Sequence, residues 1–214
     1  MTLHIDQDKA WKNGHNGHNG YDVSIELPIE RPSRRVDYPR LLELGRELLI
    51  ALGEDPNREG LLDTPRRWAD SWREFIEYDP GTTETTFESV AIDQMVTVSG
   101  LRVWSTCEHH LIPFWCDVAI GYIAREKVLG LSKFARIAHQ FAHQLQIQER
   151  LGQQIADEIS RITGTEDVAV VLKGEHLCMS ARGIRTPGLM TSSVMRGVFR
   201  AEYETRMEFL RLIK

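Results

Sequence analysis

The chain has 214 residues, 42% hydrophobic and 27% charged, enough to bury a core in one large domain or a domain with an appendage. Acidic residues outnumber basic ones by 31 to 26, and the net charge of −5 argues against a dedicated binder of nucleic acid or anionic membranes. We find no signal-peptide pattern and no apolar run that could span a bilayer. Three cysteines do not suggest a secreted disulfide scaffold, so we expect a cytoplasmic protein.

Residues 1–36 are polar and show no hydrophobic period. They include the repeat His15-Asn16-Gly17-His18-Asn19-Gly20, whose histidines could chelate a metal. The glycines and asparagines around those histidines favour a flexible N-terminal arm instead.

Residues 37–86 are predicted to form a helical region. Leucines recur at helical spacing up to Leu52, and Gly53 then predicts the end of the helix. Thr64-Pro65 predicts the start of a second helix, because this pair suits an N-cap and a first turn. The aromatic residues of the second helix are interpreted as packing rather than as a cofactor site; they are Trp68, Trp72 and Phe75.

The hydrophobic period changes near Phe87, so residues 87–214 are predicted to be a separate domain. Its predicted elements are a strand to Trp104 with a bend near Gly100, a strand over 118–123, a helix from Ser132 to Leu145, a helix over 148–163, a strand from Val168 to Cys178, a strand over 191–200 and a helix over 202–214. His139 and His143 are interpreted as surface histidines of the first of these helices. The order predicts an α+β fold with an antiparallel sheet.

Two short segments carry most of the scarce cysteine and histidine: Thr106-Cys107-Glu108-His109-His110 and His176-Leu177-Cys178-Met179. Thiolate and imidazole are ligands that zinc selects. Cys107 and His110 are three residues apart, so a tight turn can direct both at one ion, and Cys178 can supply a second thiolate. Adjacent side chains diverge in extended or turn backbone, so one histidine of the His109-His110 pair is expected to bind the ion while the other faces the space beside it. His176 and Cys178 are expected on one face of a strand.

Two kinds of zinc site fit these residues. Three protein ligands would leave one tetrahedral position open for water, as in a catalytic site. A fourth ligand, either Cys116 or a second histidine, would close the site and make it structural. Cys116 lies in the apolar run Phe114-Trp115-Cys116, which favours a buried and inert thiol. The residues alone favour the catalytic version.

Two further segments suggest a nucleotide substrate. Ser132 is expected to cap a helix whose first turn carries Lys133 and Arg136, an arrangement that can bind phosphate, although such cations are commonly only solvated. Glu149 could accept two parallel hydrogen bonds from the ring N–H and amino group of guanine, although an acid at a helix start is more often a surface residue.

Taken together, these segments resemble the GTP cyclohydrolase I family over residues 37–213. The matching text is Gly53-Glu54-Asp55-Pro56-Asn57-Arg58-Glu59-Gly60-Leu61, Cys107-Glu108-His109-His110, Gly130-Leu131-Ser132-Lys133, Gln148-Glu149-Arg150-Leu151, His176-Leu177-Cys178-Met179 and Ala181-Arg182-Gly183. Two positions depart from the family pattern, since Cys116 stands where glycine is expected and Ala124 where proline is usual.

The resemblance implies hydrolysis of GTP to formate and 7,8-dihydroneopterin triphosphate, the first step of pterin, folate or deazaguanine biosynthesis, without an organic cofactor. It implies Zn²⁺ held by Cys107, His110 and Cys178, and proton transfer by His109 and His176. The implied substrate-binding residues are Gln148 and Glu149 for the guanine edge, Ser132, Lys133 and Arg136 for ribose and phosphate oxygens, and Arg182, from a neighbouring subunit, for the triphosphate. It also implies the tunnelling fold and a homo-oligomer, a decamer of two stacked pentamers.

Two other functions remain compatible with the sequence. One is a non-catalytic, zinc-stapled assembly protein of the same fold that binds purines or pterins. The presence of both His109 and His176 favours the enzyme over this binder, because a binder has no use for two proton carriers beside a metal. The other is a relative acting on a different purine or pterin without a triphosphate, which the three cations Lys133, Arg136 and Arg182 disfavour.

Overall fold

A computed structural model describes residues 34–88 and 93–214. Most of the predicted arm, and the predicted strand positions Val90 and Ile92, lie outside the described residues. The helices are α1 (Tyr38–Ala51), α2 (Thr64–Ile76), α3 (Leu131–Ala142), α4 (Gln148–Thr163), α5 (Leu177–Ser180), α6 (Val198–Ala201) and α7 (Tyr203–Leu212), with a 3-10 turn over Glu59–Leu61. The strands are β1 (Thr86–Glu88), β2 (Gln94–Cys107), β3 (Ile112–Ala124), β4 (Lys127–Leu129), β5 (Leu145–Gln146), β6 (Val168–His176) and β7 (Met190–Met195). No helix within these ranges has the length and apolar character needed to traverse a bilayer.

The two predicted N-terminal helices are present and pack against each other. The Asp37 carboxylate caps α1 by accepting a hydrogen bond of 3.1 Å from the backbone N–H of Arg40. Gly53 follows α1 with a φ of 81°, a left-handed conformation that glycine adopts without strain. On α2, Trp72 makes edge-to-face ring contacts with Trp68 and Phe75, so the aromatic stripe is packing.

Five strands form the main sheet in the order β5-β2-β3-β6-β7. The β2–β3, β3–β6 and β6–β7 pairs are antiparallel, and the short β5 runs parallel to the end of β2. The register of β2 against β3 shifts between Val98 and Leu101, at the bend predicted near Gly100. Helices α3 and α4 pack against this sheet, with α3 contacting β2 and α4 contacting β6 and β7. The predicted α+β fold with strand-strand-helix-helix-strand-strand order is thereby confirmed, while the positions of the domain boundaries stay predictions.

The core lies between the sheet and the helices α3 and α4. It is made of apolar side chains that alternate along the strands and recur at helical spacing on the two helices. Its large members are Val103, Phe114, Val118, Ile120, Tyr122, Phe134, Ile137, Phe141, Leu151, Ile155, Ile159, Val170 and Leu172.

Some predicted elements were wrong in detail. The strand β6 ends at His176, and Cys178 lies in the helical turn α5 rather than on the same strand face. Ser132 does not cap α3, because Gly130 is the N-cap and no side chain caps that end. The region 191–200 is not one strand: β7 ends at Met195, and Gly197, with a φ of 50°, leads into α6. The β1–β4 pair and the parallel strand β5 were not predicted.

Gly174 lies opposite Cys116 in the β3–β6 pair, and alanine is expected to destabilise the fold there. A Cβ atom at this position would lie 2.1 Å from the Trp115 carbonyl oxygen and 2.7 Å from the Cys116 sulfur, so the strands would have to move apart. We expect Gly174→Ala to lower the free energy of unfolding by about 1–3 kcal/mol. Denaturant unfolding would measure this free energy. Gly60→Ala is the control, because a Cβ atom at Gly60 would meet the end of the flexible Arg58 side chain rather than backbone. Equal midpoints for the two variants would contradict the expectation.

Candidate metal centre

The turn between β2 and β3 directs the first cysteine and its histidine towards one point. The backbone N–H groups of His110 and Leu111 both donate to the Cys107 carbonyl, at 3.3 and 2.9 Å. Leu111 has a φ of 54°, which is uncommon for a residue with a Cβ and closes this tight turn. Such a turn places the side chains of Cys107 and His110 on the same side.

The structure brings together the three ligands that the sequence analysis assigned to zinc. One ligand atom each from Cys107, His110 and Cys178 lies within 4.8 Å of the others, and the Cys107 sulfur is 3.7 Å from His110 Nδ1. Zinc–sulfur bonds of about 2.3 Å and zinc–nitrogen bonds of about 2.0–2.1 Å at tetrahedral angles place such donors roughly 3.5–3.8 Å apart. The donor set and its spacing therefore fit a zinc ion with small side-chain adjustments.

The pKa of the Cys178 thiol depends on the charges around it. Burial raises the pKa of the Cys178 thiol above its ordinary value, and the neighbouring Cys107 raises it further. A divalent ion between the two sulfurs would reverse this effect, because metal binding displaces thiol protons. The charge of Arg182 acts in the same direction by lowering the pKa of Cys178.

The structure separates Cys116 from the three candidate ligands. Its side chain is buried, and its thiol donates to the Gln148 side-chain oxygen at 3.3 Å. Burial raises the pKa of Cys116 to about 12, which disfavours the thiolate that zinc would require. Within the described ranges, the cluster that could hold a metal contains Cys107, His110 and Cys178 and does not include Cys116.

The two histidines assigned to proton transfer are close to candidate ligands along the chain, since His109 precedes His110 and His176 stands two residues before Cys178. The rings of His109 and His110 are nearly perpendicular, at 83°, and which of the two would bind the ion stays a prediction. The His109 Nδ1 atom is 3.9 Å from the Cys107 sulfur. His176 is half-buried and stacks on Phe114 at a centroid distance of 4.5 Å. Burial lowers the pKa of His176, while the charge of Glu149 acts to raise it.

The two residues of α4 predicted to bind guanine differ in burial: Glu149 is exposed and Gln148 is buried. Glu149 is exposed and close enough to His176 to influence its pKa, so its carboxylate remains available to a ligand. Gln148 is completely buried, and its amide bonds to groups inside the protein. Burial and these internal bonds favour Glu149 over Gln148 as the contact with a guanine edge. Arg182 is exposed beside its own Cys178.

The two cations predicted to bind phosphate share a face of α3 but are engaged within the chain. The Lys133 amino group donates to the Thr82 carbonyl at 2.7 Å, and the Arg136 guanidinium donates to the Pro80 carbonyl. Ser132 is exposed in the first turn of α3. Each carbonyl uses one N–H group of its cation, so the remaining N–H groups of Lys133 and Arg136 could still donate to phosphate oxygens.

Comparison with known proteins decides the family. The sequence model described as GTP cyclohydrolase I matches residues 43–214. The chain belongs to the GTP cyclohydrolase I family.

Relatives in this family match most of the chain. It is 44% identical over 179 residues to GTP cyclohydrolase 1 of Hyperthermus butylicus, covering 84% of this chain and 92% of that protein. It is 48% identical over 176 residues to GTP cyclohydrolase 1 1 of Pseudomonas syringae pv. tomato, covering 78% and 92%. It is 47% identical over 188 residues to GTP cyclohydrolase 1 of Corynebacterium glutamicum, covering 85% and 95%. The α+β architecture agrees with the tunnelling fold expected for the GTP cyclohydrolase I family.

An ion pair that the sequence analysis missed connects the metal turn of this GTP cyclohydrolase I family chain to helix α4. The Arg150 guanidinium pairs with the Glu108 carboxylate, and its Nε donates to the buried Gln146 side chain at 2.7 Å. The backbone N–H of Glu108 also donates to the Gln146 carbonyl at 3.1 Å. Glu108 and Arg150 each lie in a segment that resembles the family, but they are 42 positions apart in sequence. Only the folded structure shows that they form an ion pair.

Proposed function

We propose that this chain binds zinc through Cys107, His110 and Cys178 and hydrolyses GTP to 7,8-dihydroneopterin triphosphate and formate. This would be the first step of a pterin, folate or deazaguanine pathway. The observation that carries the proposal is the convergence of two thiols and one imidazole in a member of this family, with the His109 imidazole 3.9 Å from the Cys107 sulfur and His176 two residues before Cys178.

Separate residues of the chain would transfer protons and bind the substrate. When bound, zinc would supply a Lewis acid and lower the pKa of water to about 7, so that hydroxide is available at neutral pH. His109 and His176 would move protons as water adds to the imidazole carbon of the purine and the ring opens, since imidazoles exchange protons near neutral pH. Glu149 would hold the guanine edge. Ser132, Lys133, Arg136 and Arg182 would bind the ribose and triphosphate oxygens.

Assembly would complete the site. We propose a homo-oligomer, a decamer of two pentamers, in which Arg182 reaches the triphosphate of a neighbouring subunit. The strand β7 is at one edge of the described sheet, where another subunit could continue the hydrogen bonding. Light scattering of the purified protein would test this, with a mass of ten 24.6 kDa chains as the expected result.

A single assay tests the reaction. Zinc-loaded protein incubated with GTP is expected to release formate and, after oxidation, a fluorescent pterin in equal amounts. Protein stripped of metal by a chelator is the control and is expected to release neither. GTP binding without formate release would favour the non-catalytic binder of purines or pterins and would contradict the proposal.

Glu149 should set the preference for guanine. Inosine triphosphate lacks the 2-amino group that would donate to this carboxylate, so we expect the parent enzyme to favour GTP by about 10- to 100-fold in kcat/KM. Glu149→Ala should lose most of that preference, because the hydrogen-bond acceptor is gone for both substrates. Glu166→Ala, a change in the loop between α4 and β6, serves as the control. An unchanged GTP preference in Glu149→Ala would assign guanine recognition to another residue.

A further inference from the structure

The side chain of Gln148 is hydrogen-bonded at both ends although it is fully buried at the start of α4. Its nitrogen donates to the carbonyls of Leu172 and Met190, at 3.3 and 3.2 Å, and lies 3.1 Å from Ser192 Oγ. Its oxygen lies 3.0 Å from His176 Nε2 and 3.3 Å from the Cys116 sulfur. These partners come from three neighbouring strands, β3, β6 and β7, so the amide is fixed from several directions.

These partners allow one orientation of the amide. A backbone carbonyl can only accept, so the atom facing Leu172 and Met190 must be the donating nitrogen. Rotating the amide by half a turn would set its oxygen against two carbonyl oxygens in a buried site, leaving acceptors without donors. The oxygen of Gln148 therefore faces His176 and Cys116.

This orientation determines which ring nitrogen of neutral His176 carries the proton. The Gln148 oxygen can only accept, so His176 Nε2 must donate to it and hold the hydrogen. The remaining nitrogen, Nδ1, then carries the lone pair. Among residues 34–88 and 93–214, the ring bonds to Gln148 through Nε2, which leaves Nδ1 open to a ligand.

We propose that Gln148 and Cys116 are positioning residues that hold His176 as the Nε2–H tautomer and present Nδ1 as its proton acceptor. The inference rests on the proposed function and deepens it by assigning the atom through which His176 acts. It also gives Cys116 a role, because its thiol supplies the second donor to the Gln148 oxygen. An amide oxygen has two lone pairs, so both are then occupied and no other donor can draw the amide away from His176.

The neighbouring strand β3 also restricts the orientation of the His176 ring. Phe114 stacks on His176 with the two planes 6° apart, and it faces His176 across the β3–β6 pair. Cys116 lies two residues along the same strand face as Phe114, opposite Gly174, whose missing side chain leaves room for the sulfur. The glycine expected at position 116 by family resemblance could not donate to Gln148, so the thiol is a feature of this chain.

The tautomer itself can be measured without any substrate. We would label the zinc-loaded protein with ¹⁵N-histidine and record magic-angle-spinning NMR at alkaline pH, where imidazole is neutral. Protonated and unprotonated ring nitrogens differ in ¹⁵N shift, and the His176 signals are identified by their loss in His176→Asn. The expected result is a protonated Nε2 in the parent protein and a mixture of tautomers in Gln148→Met. A protonated Nδ1 in the parent protein would overturn the proposal, whether or not the protein hydrolyses GTP.

Kinetics separate a positioning role from a contact with guanine. Gln148→Met should lower kcat by about 10- to 100-fold, the usual cost of losing a residue that orients an active-site ligand, with KM and zinc content close to parental. A raised KM with parental kcat would instead mean that Gln148 holds the substrate and would overturn the proposal. Gln153→Met is the matched control, since Gln153 is exposed on the same helix and pairs with Arg196.

Two conservative variants test the role of Cys116. They also test the proposal independently if Gln148→Met fails to fold. Cys116→Ala removes the donor and should lower kcat by about two- to tenfold. Cys116→Ser restores an O–H donor and should recover most of that loss. Equal kcat in the parent and in Cys116→Ala would remove Cys116 from the proposed positioning pair.

Discussion

Cys178→Ala is expected to lose zinc and activity together. The thiol is one of three ligand groups, so its removal leaves one thiol and one imidazole, too few to hold zinc firmly at neutral pH. Zinc contributes several kcal/mol to stabilising charge in the transition state, so losing it should reduce kcat/KM by about 10³-fold or more. Metal analysis after dialysis against a competing chelator dye, and formate release from GTP, measure the two losses on the same sample.

Cys116→Ala is the matched control for this metal experiment. Its thiol is buried and directed at Gln148, so the variant should retain parental zinc content. If Cys116→Ala lost zinc as Cys178→Ala does, the site would have four protein ligands and the open-site account would be contradicted. If Cys178→Ala kept its zinc, the ligand set would be wrong.

His176→Ala is expected to keep its zinc and lose turnover. The His176 ring is not part of the three-ligand group, and it is stacked on Phe114 and bonded to Gln148. Removing a residue that transfers protons in the transition state typically costs about 10²- to 10⁴-fold, and kcat should fall by this amount while zinc content stays parental.

His139→Gln provides the control for the proton-transfer assignment. His139 is a half-buried histidine of α3 whose ring lies against Tyr78 and His143, and it is not part of the three-ligand group. Turnover per bound zinc should match that of the parent protein. A His176→Ala enzyme that converted GTP at the parental rate would show that His176 does not carry the proton.

Periodicity predicted the elements that matter to the site. The helix over 148–163 has the predicted bounds because its apolar positions recur at helical spacing and Gly164 ends it in a left-handed conformation. The turn holding Cys107 and His110 followed from their three-residue spacing. Cys178 was placed on a strand because a two-residue spacing from His176 fits one strand face, whereas the structure turns the chain into α5 after His176. Spacing alone does not distinguish these local conformations.

The role of Gln148 could not be predicted from the sequence. Its amide partners lie 24, 42 and 44 residues away, in strands that meet only in the folded sheet. Motif resemblance places a polar residue beside Glu149, but it does not show which of the two side chains points inward. The hydrogen bonds from Lys133 to the Thr82 carbonyl and from Arg136 to the Pro80 carbonyl could not be predicted for the same reason. The loop that carries these carbonyls has no hydrophobic period, so its sequence does not indicate what it contacts.

Zinc X-ray absorption on the metal-loaded protein tests the central claim most directly. The account predicts two sulfur neighbours at about 2.3 Å, one imidazole nitrogen at about 2.0–2.1 Å and a fourth position that no protein side chain fills. The same spectrum should be obtained from Cys116→Ala. Three sulfur neighbours in the parent protein, falling to two in Cys116→Ala, would show a closed structural site and contradict the account.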